Sequence, residues 1–149
     1  MLNSDYKDML QVLLGNNVKF LLVGAYAMGV HGYPRATGDI DIWVEPSAEN
    51  SSRVYRSMEA FGAPVHEIDE ATFAAPDVVF QIGVAPRRID IITAISGISF
   101  DDAHQQRRIV EMEGMSIPIL SLGDLIKNKR ATGRDKDRLD ADQLEKQKP

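Results

Sequence analysis

The segment that most constrains the fold of this chain is DIDIWV, residues 39–44, in which acidic and apolar residues alternate. Because side chains alternate between the two faces of a β-strand, Asp39 and Asp41 share one face while the aliphatic residues share the other. An apolar sheet face has to be covered by another layer of structure. The segment therefore predicts a strand whose apolar face is buried and whose carboxylates point to one side.

Helical and strand patterns follow one another along the whole chain. Apolar residues at helical spacing, together with capping and breaking residues, predict helices over residues 4–15, 25–31, 47–61, 100–106 and 121–132, and a last helix after Gly133. Short apolar runs predict strands over residues 18–23, 39–44, 78–84, 88–95, 108–112 and 115–120. We expect hairpins at the third and fourth and at the last two strands, and we expect helix caps at Ser4, Ser47, Ser99 and Ser121. Pro118 suggests that the last strand lies at a sheet edge.

Composition limits the chemistry that is available to the chain. With 149 residues and 44% hydrophobic residues, the sequence predicts one domain, residues 1–149, with its own core. There is no cysteine, so disulfides, zinc–thiolate sites and cysteine nucleophiles are excluded, and a metal would need oxygen or imidazole ligands. The sequence has no bilayer-length apolar stretch and no pattern of a signal peptide, so we expect a cytoplasmic protein without a membrane partner.

The charge is unevenly distributed. The chain carries 17 Lys and Arg against 22 Asp and Glu, a net charge of -5, which argues against a general coat for nucleic acid. Residues 127–149 nevertheless hold eight basic and five acidic side chains. This local basic surface is compatible with binding an RNA end and equally with binding only the phosphates of a nucleotide.

Three aspartates carry the chemistry that the sequence predicts. Asp39 and Asp41 have Cα atoms roughly 6.6 Å apart on one strand face, a span that one or two divalent cations can bridge. Asp90 lies inside an apolar strand, where a carboxylate needs a partner. Mg²⁺ prefers a few carboxylates together with water and phosphate oxygens, so the three predict a metal–triphosphate site. Gly24, at a strand-to-helix turn, is suited to bring backbone N–H groups to the phosphates.

Two sequence motifs of this chain resemble those of a known family. LVGAY at residues 22–26, followed by RATGDIDI at residues 35–42, resembles the signature of the polymerase-β-like nucleotidyltransferase superfamily: an apolar strand, Gly-Gly or Gly-Ser, about a dozen residues, then Asp-x-Asp. KRATGRDKDRLD at residues 129–140 resembles an element of the branch that includes AbiEii-type toxin–antitoxin nucleotidyltransferases. With Asp90 between them, the resemblance spans nearly the whole chain.

The resemblance implies a mixed β-sheet flanked by helices, an α/β (α+β) fold. It also implies a nucleoside triphosphate donor, two Mg²⁺ ions and transfer of a nucleotidyl group to a hydroxyl. The acceptor hydroxyl would belong to an RNA end, a protein or a small molecule. A toxin–antitoxin pair is one setting in which such an enzyme would act. It gives the catalytic and metal-binding roles to Asp39, Asp41 and Asp90. The residues predicted to bind the nucleotide are Gly24, Ala25, Tyr26, Arg35, Thr37, Lys129, Arg134 and Asp137.

Each motif also has a simpler explanation. An Asp-x-Asp strand is often a solvated sheet face, Asp90 could be a charge that protects an edge strand, and residues 127–138 could be a solvated helix face. Ala25 stands where the family has a second Gly or Ser, which removes a hydroxyl contact but leaves the backbone donors. Ala25 therefore favours an alternative to the enzyme, a catalytically silent module that binds a nucleotide or a partner.

Overall fold

The computed structural model describes residues 2–34 and 38–149, so the predicted nucleotide contacts of Arg35 and Thr37 lie outside the described residues. In the described part of the chain, six strands form one sheet. They are β1 (Phe20–Val23), β2 (Ile40–Val44), β3 (Val79–Ile82), β4 (Ile89–Ile92), β5 (Arg108–Met112) and β6 (Met115–Ile119).

The sheet is mixed, with strand order β3-β4-β2-β1-β6-β5. β2 runs parallel to β4 and β1 runs parallel to β6, whereas the other neighbouring pairs are antiparallel. The two predicted hairpins are β3–β4 and β5–β6. The expected α+β fold with a mixed sheet is therefore confirmed.

Helices cover this sheet. They are α1 (Ser4–Gly15), α2 (Gly24–Val30), α3 (Ala48–Phe61), α4 (Phe100–Gln105), α5 (Leu122–Ala131) and α6 (Asp135–Glu145), with short 3₁₀ turns at Val65–Glu67 and Thr72–Ala74. Within the described ranges, no helix combines the length and the hydrophobicity needed to cross a membrane.

Serine and asparagine side chains define several helix starts. Ser47, Ser99 and Ser121 cap α3, α4 and α5 as the sequence predicts, each accepting a backbone N–H three residues on. The expected cap of α1 was wrong by one residue. Asn3 has extended backbone angles and its side chain accepts the N–H of Tyr6, so Ser4 is already helical.

The position of Pro118 also differs from the expectation. β6 is an inner strand between β1 and β5, not an edge strand. Its bridge to β1 is centred on Leu22 and Ile119, and the N–H of Leu120 donates to the Leu22 carbonyl at 3.0 Å. Because Leu120 supplies this donor, the missing N–H of Pro118 does not interrupt the bridge.

The core surrounds the two central strands. β1 is buried along its whole length, and so is β2 except at Asp41. The alternating pattern of β2 predicts an open face, yet Trp43 on the aspartate side is buried and packs edge-on against Phe100, with ring centroids 5.1 Å apart. Only the end of β2 that carries the aspartates therefore remains partly open.

Candidate active site

Strand register brings the three predicted aspartates together. Asp41 on β2 lies directly opposite Asp90 on the parallel strand β4. Asp39 comes one residue before β2, and its Oδ1 accepts the backbone N–H of Arg88 at 3.0 Å. Because β2 and β4 run parallel, the same ends of both strands carry the acidic groups. The result is a cluster of carboxylates at one end of the central strands.

The carboxyl of Asp41 is the strained member of this cluster. Burial, the charge of Asp90, a hydrogen bond with Asp90 and the charge of Asp39 together raise the pKa of Asp41 to about 6. Burial removes water that would solvate the ionised form, and the neighbouring like charges repel it. The site therefore favours anything that neutralises Asp41, whether a proton or a cation.

Arg88 belongs to the site, although it was not among the predicted site residues. Its Nε donates to Oδ1 of Asp90 at 2.8 Å, and its Nη2 donates to Oδ2 of the same carboxylate at 3.1 Å. Nη2 also lies 3.5 Å from Oδ2 of Asp39. These contacts raise the pKa of Arg88 further, the hydrogen bond to Asp90 first, so the guanidinium stays charged. The available signal was its place two residues before Asp90, on the same strand face.

Gly24 makes room for Asp41. The β1–β2 register pairs Val23 with Asp41, and the chain turns into α2 directly afterwards, with Gly24 at φ +65°. A Cβ atom at Gly24 would overlap Oδ2 of Asp41. Gly24 therefore has both a backbone conformation and a close neighbour that a side chain would not tolerate. Ala25, which is also predicted to bind the nucleotide, follows Gly24 in the first turn of α2.

Tyr6 connects α1 to the loop before the aspartates. Its hydroxyl donates to the carbonyl of Gly38 and lies 3.4 Å from the carbonyl of Arg88. Burial raises the pKa of Tyr6 to about 12, so it remains a neutral donor. Tyr26, the predicted base-stacking residue, is half-buried and packs edge-on against Tyr6 with ring centroids 5.8 Å apart. Helical spacing of Tyr6 indicated only that its ring faces the core.

The predicted C-terminal residues form an ionic cluster of their own. Lys129 Nζ lies 3.4 Å from Oδ1 of Asp137 and 3.5 Å from Oδ2 of Asp140. Asp137 Oδ2 also accepts Arg134 Nε at 2.8 Å and the Thr132 hydroxyl at 2.7 Å. Although burial opposes it, the Thr132 hydroxyl, Lys129 and Arg134 hold the pKa of Asp137 below its usual value. Asp137 and Asp140 are buried, so the explanation as a solvated helix face does not apply to them.

The donor set suits a hard divalent cation, but the site has to rearrange to hold one. In the part of the chain that the structure describes, no group of three or more histidine or acidic side chains is already arranged as a metal shell. The carboxylate oxygens of Asp39, Asp41 and Asp90 are ligands that Mg²⁺ prefers. Both oxygens of Asp90 accept hydrogen bonds from Arg88, so a metal bound there would share this carboxylate with the guanidinium.

Comparison with known proteins shows which solved structures share this fold. No protein-family model matches the chain, and no curated protein matches it significantly. A crystal structure of the assigned nucleotidyltransferase TM1012 from Thermotoga maritima superposes with a TM-score of 0.63 at 20% identity, covering 98% of this chain and 94% of that one. The solution structure of the antibiotic-resistance factor ANT(2'')-Ia superposes with a TM-score of 0.60 at 15% identity. The match covers 95% of this chain and 80% of that one. The chain therefore has the fold of nucleotidyltransferases.

Proposed function

We propose that this protein is a Mg²⁺-dependent nucleotidyltransferase that transfers NMP from a nucleoside triphosphate to an acceptor hydroxyl. One observation carries the proposal: Asp41 and Asp90 lie opposite each other on parallel strands, with Asp39 beside them and Gly24 leaving space in front of Asp41. Paired like charges in a partly buried position are costly unless a cation uses them. The likeness in fold to nucleotidyltransferases gives the reaction class.

Asp39, Asp41 and Asp90 would hold the metal, as one or both ions of a two-ion site. These carboxylates would place Mg²⁺ where it could neutralise the charge that develops on the α-phosphate and on the pyrophosphate. The aspartates fix its position because their strands are hydrogen-bonded neighbours at the centre of the sheet. A rigid strand pair holds ligands with less loss of entropy than a loop would.

The transfer needs one proton acceptor and one leaving group. The acceptor oxygen bonds to the α-phosphorus while the bond from that phosphorus to the bridging oxygen breaks, and pyrophosphate leaves with the bonding electrons. Asp90 accepts the proton of the attacking hydroxyl. Backbone N–H groups of Gly24 and Ala25 face the phosphates, since the N-cap residue Val23 makes no side-chain bond to the first turn of α2.

Other nucleotide contacts remain part of the proposal. Tyr26 offers a ring for the base, next to Tyr6. Lys129 and Arg134 would reach phosphate oxygens only by leaving Asp137, their partner in the ionic cluster. Arg35 and Thr37 precede the aspartates at positions where the resemblance predicts contacts with the nucleotide.

The acceptor hydroxyl belongs to one of three classes: a small molecule, an RNA end or a protein, including a toxin or antitoxin partner. ANT(2'')-Ia is an antibiotic-resistance factor, so small molecules are the first class to test. The local basic surface of residues 127–149 supports the RNA class. All three use the same metal site and differ only in what lies beside the α-phosphate.

The deciding experiment supplies α-labelled nucleoside triphosphates and Mg²⁺ to the purified protein with each acceptor class in turn. We expect label transfer by the wild type and a loss of at least about a hundredfold in Asp41→Asn, which keeps the shape but not the charge. Asp8→Asn changes an exposed carboxylate on α1 and should keep full activity. If the wild type transfers no label to any acceptor class, the proposed nucleotidyltransferase activity is refuted.

A catalytically silent nucleotide-binding module is the second candidate. Ala25 and the engagement of Asp90 by Arg88 favour it, since both reduce what the site offers to a metal nucleotide. Thermal stabilisation by Mg²⁺ and a nucleoside triphosphate without label transfer would support this module. No stabilisation by any nucleotide would contradict both candidates.

A further inference from the structure

The guanidinium of Arg88 lies where a positive charge is needed to neutralise the aspartates. Its Nε and Nη2 bond both oxygens of Asp90, at 2.8 and 3.1 Å, and Nη2 is 3.5 Å from Oδ2 of Asp39. A guanidinium has only donors, and its planar geometry matches both oxygens of a carboxylate. One side chain therefore engages the same oxygens that a metal would ligate.

We propose that Arg88 is a built-in cation that competes with a divalent metal for Asp39 and Asp90, and that its side chain leaves them when the metal binds. The inference rests on the proposed function, because it takes these aspartates as metal ligands. Oxygen lone pairs that accept bidentate hydrogen bonds from a guanidinium are not available to Mg²⁺ in the same geometry. Loading the site therefore breaks the pair between Arg88 and Asp90.

The surroundings allow the arginine to leave while the aspartate stays. The Arg88 side chain is 31% exposed, against 10% for Asp90, so the guanidinium has direct access to water. The Arg88 backbone is held independently of its side chain, because its N–H donates to Asp39 and its carbonyl accepts the N–H of Ile40 at 3.0 Å. The side chain can therefore turn outward without disturbing the pairing of β2 and β4.

Charge explains why a metal wins this competition. Arg88 brings one positive charge to three carboxylates, and it makes its direct ion pairs with Asp90 and Asp39. Asp41 lies directly opposite Asp90 in the strand register and adds a third carboxylate to the site. A divalent ion supplies twice the charge and accepts oxygen ligands from all three. Arg88 therefore keeps the metal-free site folded but leaves a driving force for exchange.

The test measures binding of Mn²⁺ alone, without nucleotide, by the loss of its free paramagnetic resonance signal. Mn²⁺ is bound by the same oxygen ligands as Mg²⁺. We expect Arg88→Met to bind Mn²⁺ about tenfold more tightly than the wild type, because no charged hydrogen bonds have to be broken first. Arg87→Met is the matched control, since it removes the same charge from an exposed neighbour and should leave the affinity within about twofold of the wild type. Equal or weaker binding by Arg88→Met would overturn the proposal.

A second measurement needs no variant and covers the case in which Arg88→Met does not fold. In the wild type, the Nε–H resonance of Arg88 should be protected from solvent exchange by Asp90. Titration with Mg²⁺ should shift this resonance and accelerate its exchange, in step with saturation of the site. Binding of Mg²⁺ with an unchanged Arg88 resonance would refute the release of the guanidinium.

These readouts separate the inference from the proposed function. Label transfer by the wild type, together with equal Mn²⁺ affinity in Arg88→Met, would refute the competition by Arg88 and support the nucleotidyltransferase activity. Tighter Mn²⁺ binding in the variant, without label transfer by the wild type, would support the competition by Arg88 and refute the nucleotidyltransferase activity. Absence of specific metal binding in both proteins would contradict the inference.

Discussion

Gly24 faces the carboxylate of Asp41 so closely that a β-carbon at Gly24 would overlap Oδ2 of Asp41. The glycine also has φ +65°, a conformation that costs an alanine about 1 kcal/mol before any clash is counted. We therefore expect Gly24→Ala to lower the melting temperature by about 3 °C or more and to displace the Asp41 carboxylate. Calorimetry and the label-transfer assay measure the two effects.

Gly29 is the matched control for that substitution. It lies in the same helix, α2, and an added Cβ would meet nothing within 4 Å. Alanine is the better helix former, so Gly29→Ala should be neutral or slightly stabilising. Equal melting temperatures for the two variants would show that the space in front of Asp41 is not restricted.

Asp41 should be a residue that the fold tolerates poorly and the reaction requires. Its carboxyl is partly buried next to Asp90 and Asp39, and its pKa is raised to about 6. Asp41→Asn removes one repelling charge, so we expect the metal-free variant to be more stable than the wild type by about 1 to 2 kcal/mol at pH 7.5. Denaturant unfolding in the presence of a chelator measures this difference. A destabilised Asp41→Asn protein would argue that Arg88 already compensates Asp41 fully.

The sequence predicted the elements better than the side-chain partners. The alternation of residues 39–44, the caps at Ser47, Ser99 and Ser121, and the turn between β5 and β6 are local signals, and each appears in the structure. The approach of Asp90 to Asp41 is different, because it requires β4 to run parallel beside β2. The chemistry of the aspartates predicted that Asp90 comes from a neighbouring strand of the same sheet, but no local pattern predicted that this strand runs parallel to β2.

Residues that the sequence did not reveal act through long-range geometry. Arg88 contacts Asp39 only because β2 and β4 are in register, and Tyr6 reaches the loop residue Gly38 from helix α1. Helical spacing marks Tyr6 as a core residue and says nothing about its hydroxyl. Alternation shows that Trp43 shares a strand face with the aspartates, but only packing against Phe100 explains why it is buried. The nucleotide contacts are still predictions, since they depend on a ligand.

The hydroxyl of Tyr6 should position the loop that carries Asp39. It donates to the Gly38 carbonyl, and an added Cβ at Gly38 would overlap the Pro86 carbonyl, so this loop is tightly placed. Tyr6→Phe leaves that carbonyl without its donor, which should cost about 1 kcal/mol of stability and lower the label-transfer rate several-fold. Tyr55→Phe removes a hydroxyl from α3 and serves as the control. Unchanged rates in Tyr6→Phe would confine Tyr6 to packing.

Acid pH should weaken the contact between α5 and α6 through Asp137. Because the pKa of Asp137 is held below its usual value in the folded protein, its ionised form contributes stability above the unfolded pKa. That contribution is lost as the pH falls below the ordinary aspartate pKa of 3.8 and through the folded value, which lies lower. Asp137→Asn removes the charge at every pH, so we expect it to be about 1 to 3 kcal/mol less stable than the wild type at pH 7.

The pH series distinguishes this ionic effect from a simple packing defect. The difference in melting temperature between the wild type and Asp137→Asn should stay constant from pH 6 to about pH 4 and shrink below that, because protonation then gives the wild type the same loss. Asp142 also pairs with an arginine, Arg130, at 3.2 Å, but its side chain is 57% exposed. Asp142→Asn should therefore change stability by less than about 1 kcal/mol, because water screens exposed ion pairs. A gap for Asp137→Asn that stays constant from pH 6 to pH 3 would mean that the side chain stabilises the helix pair by shape alone.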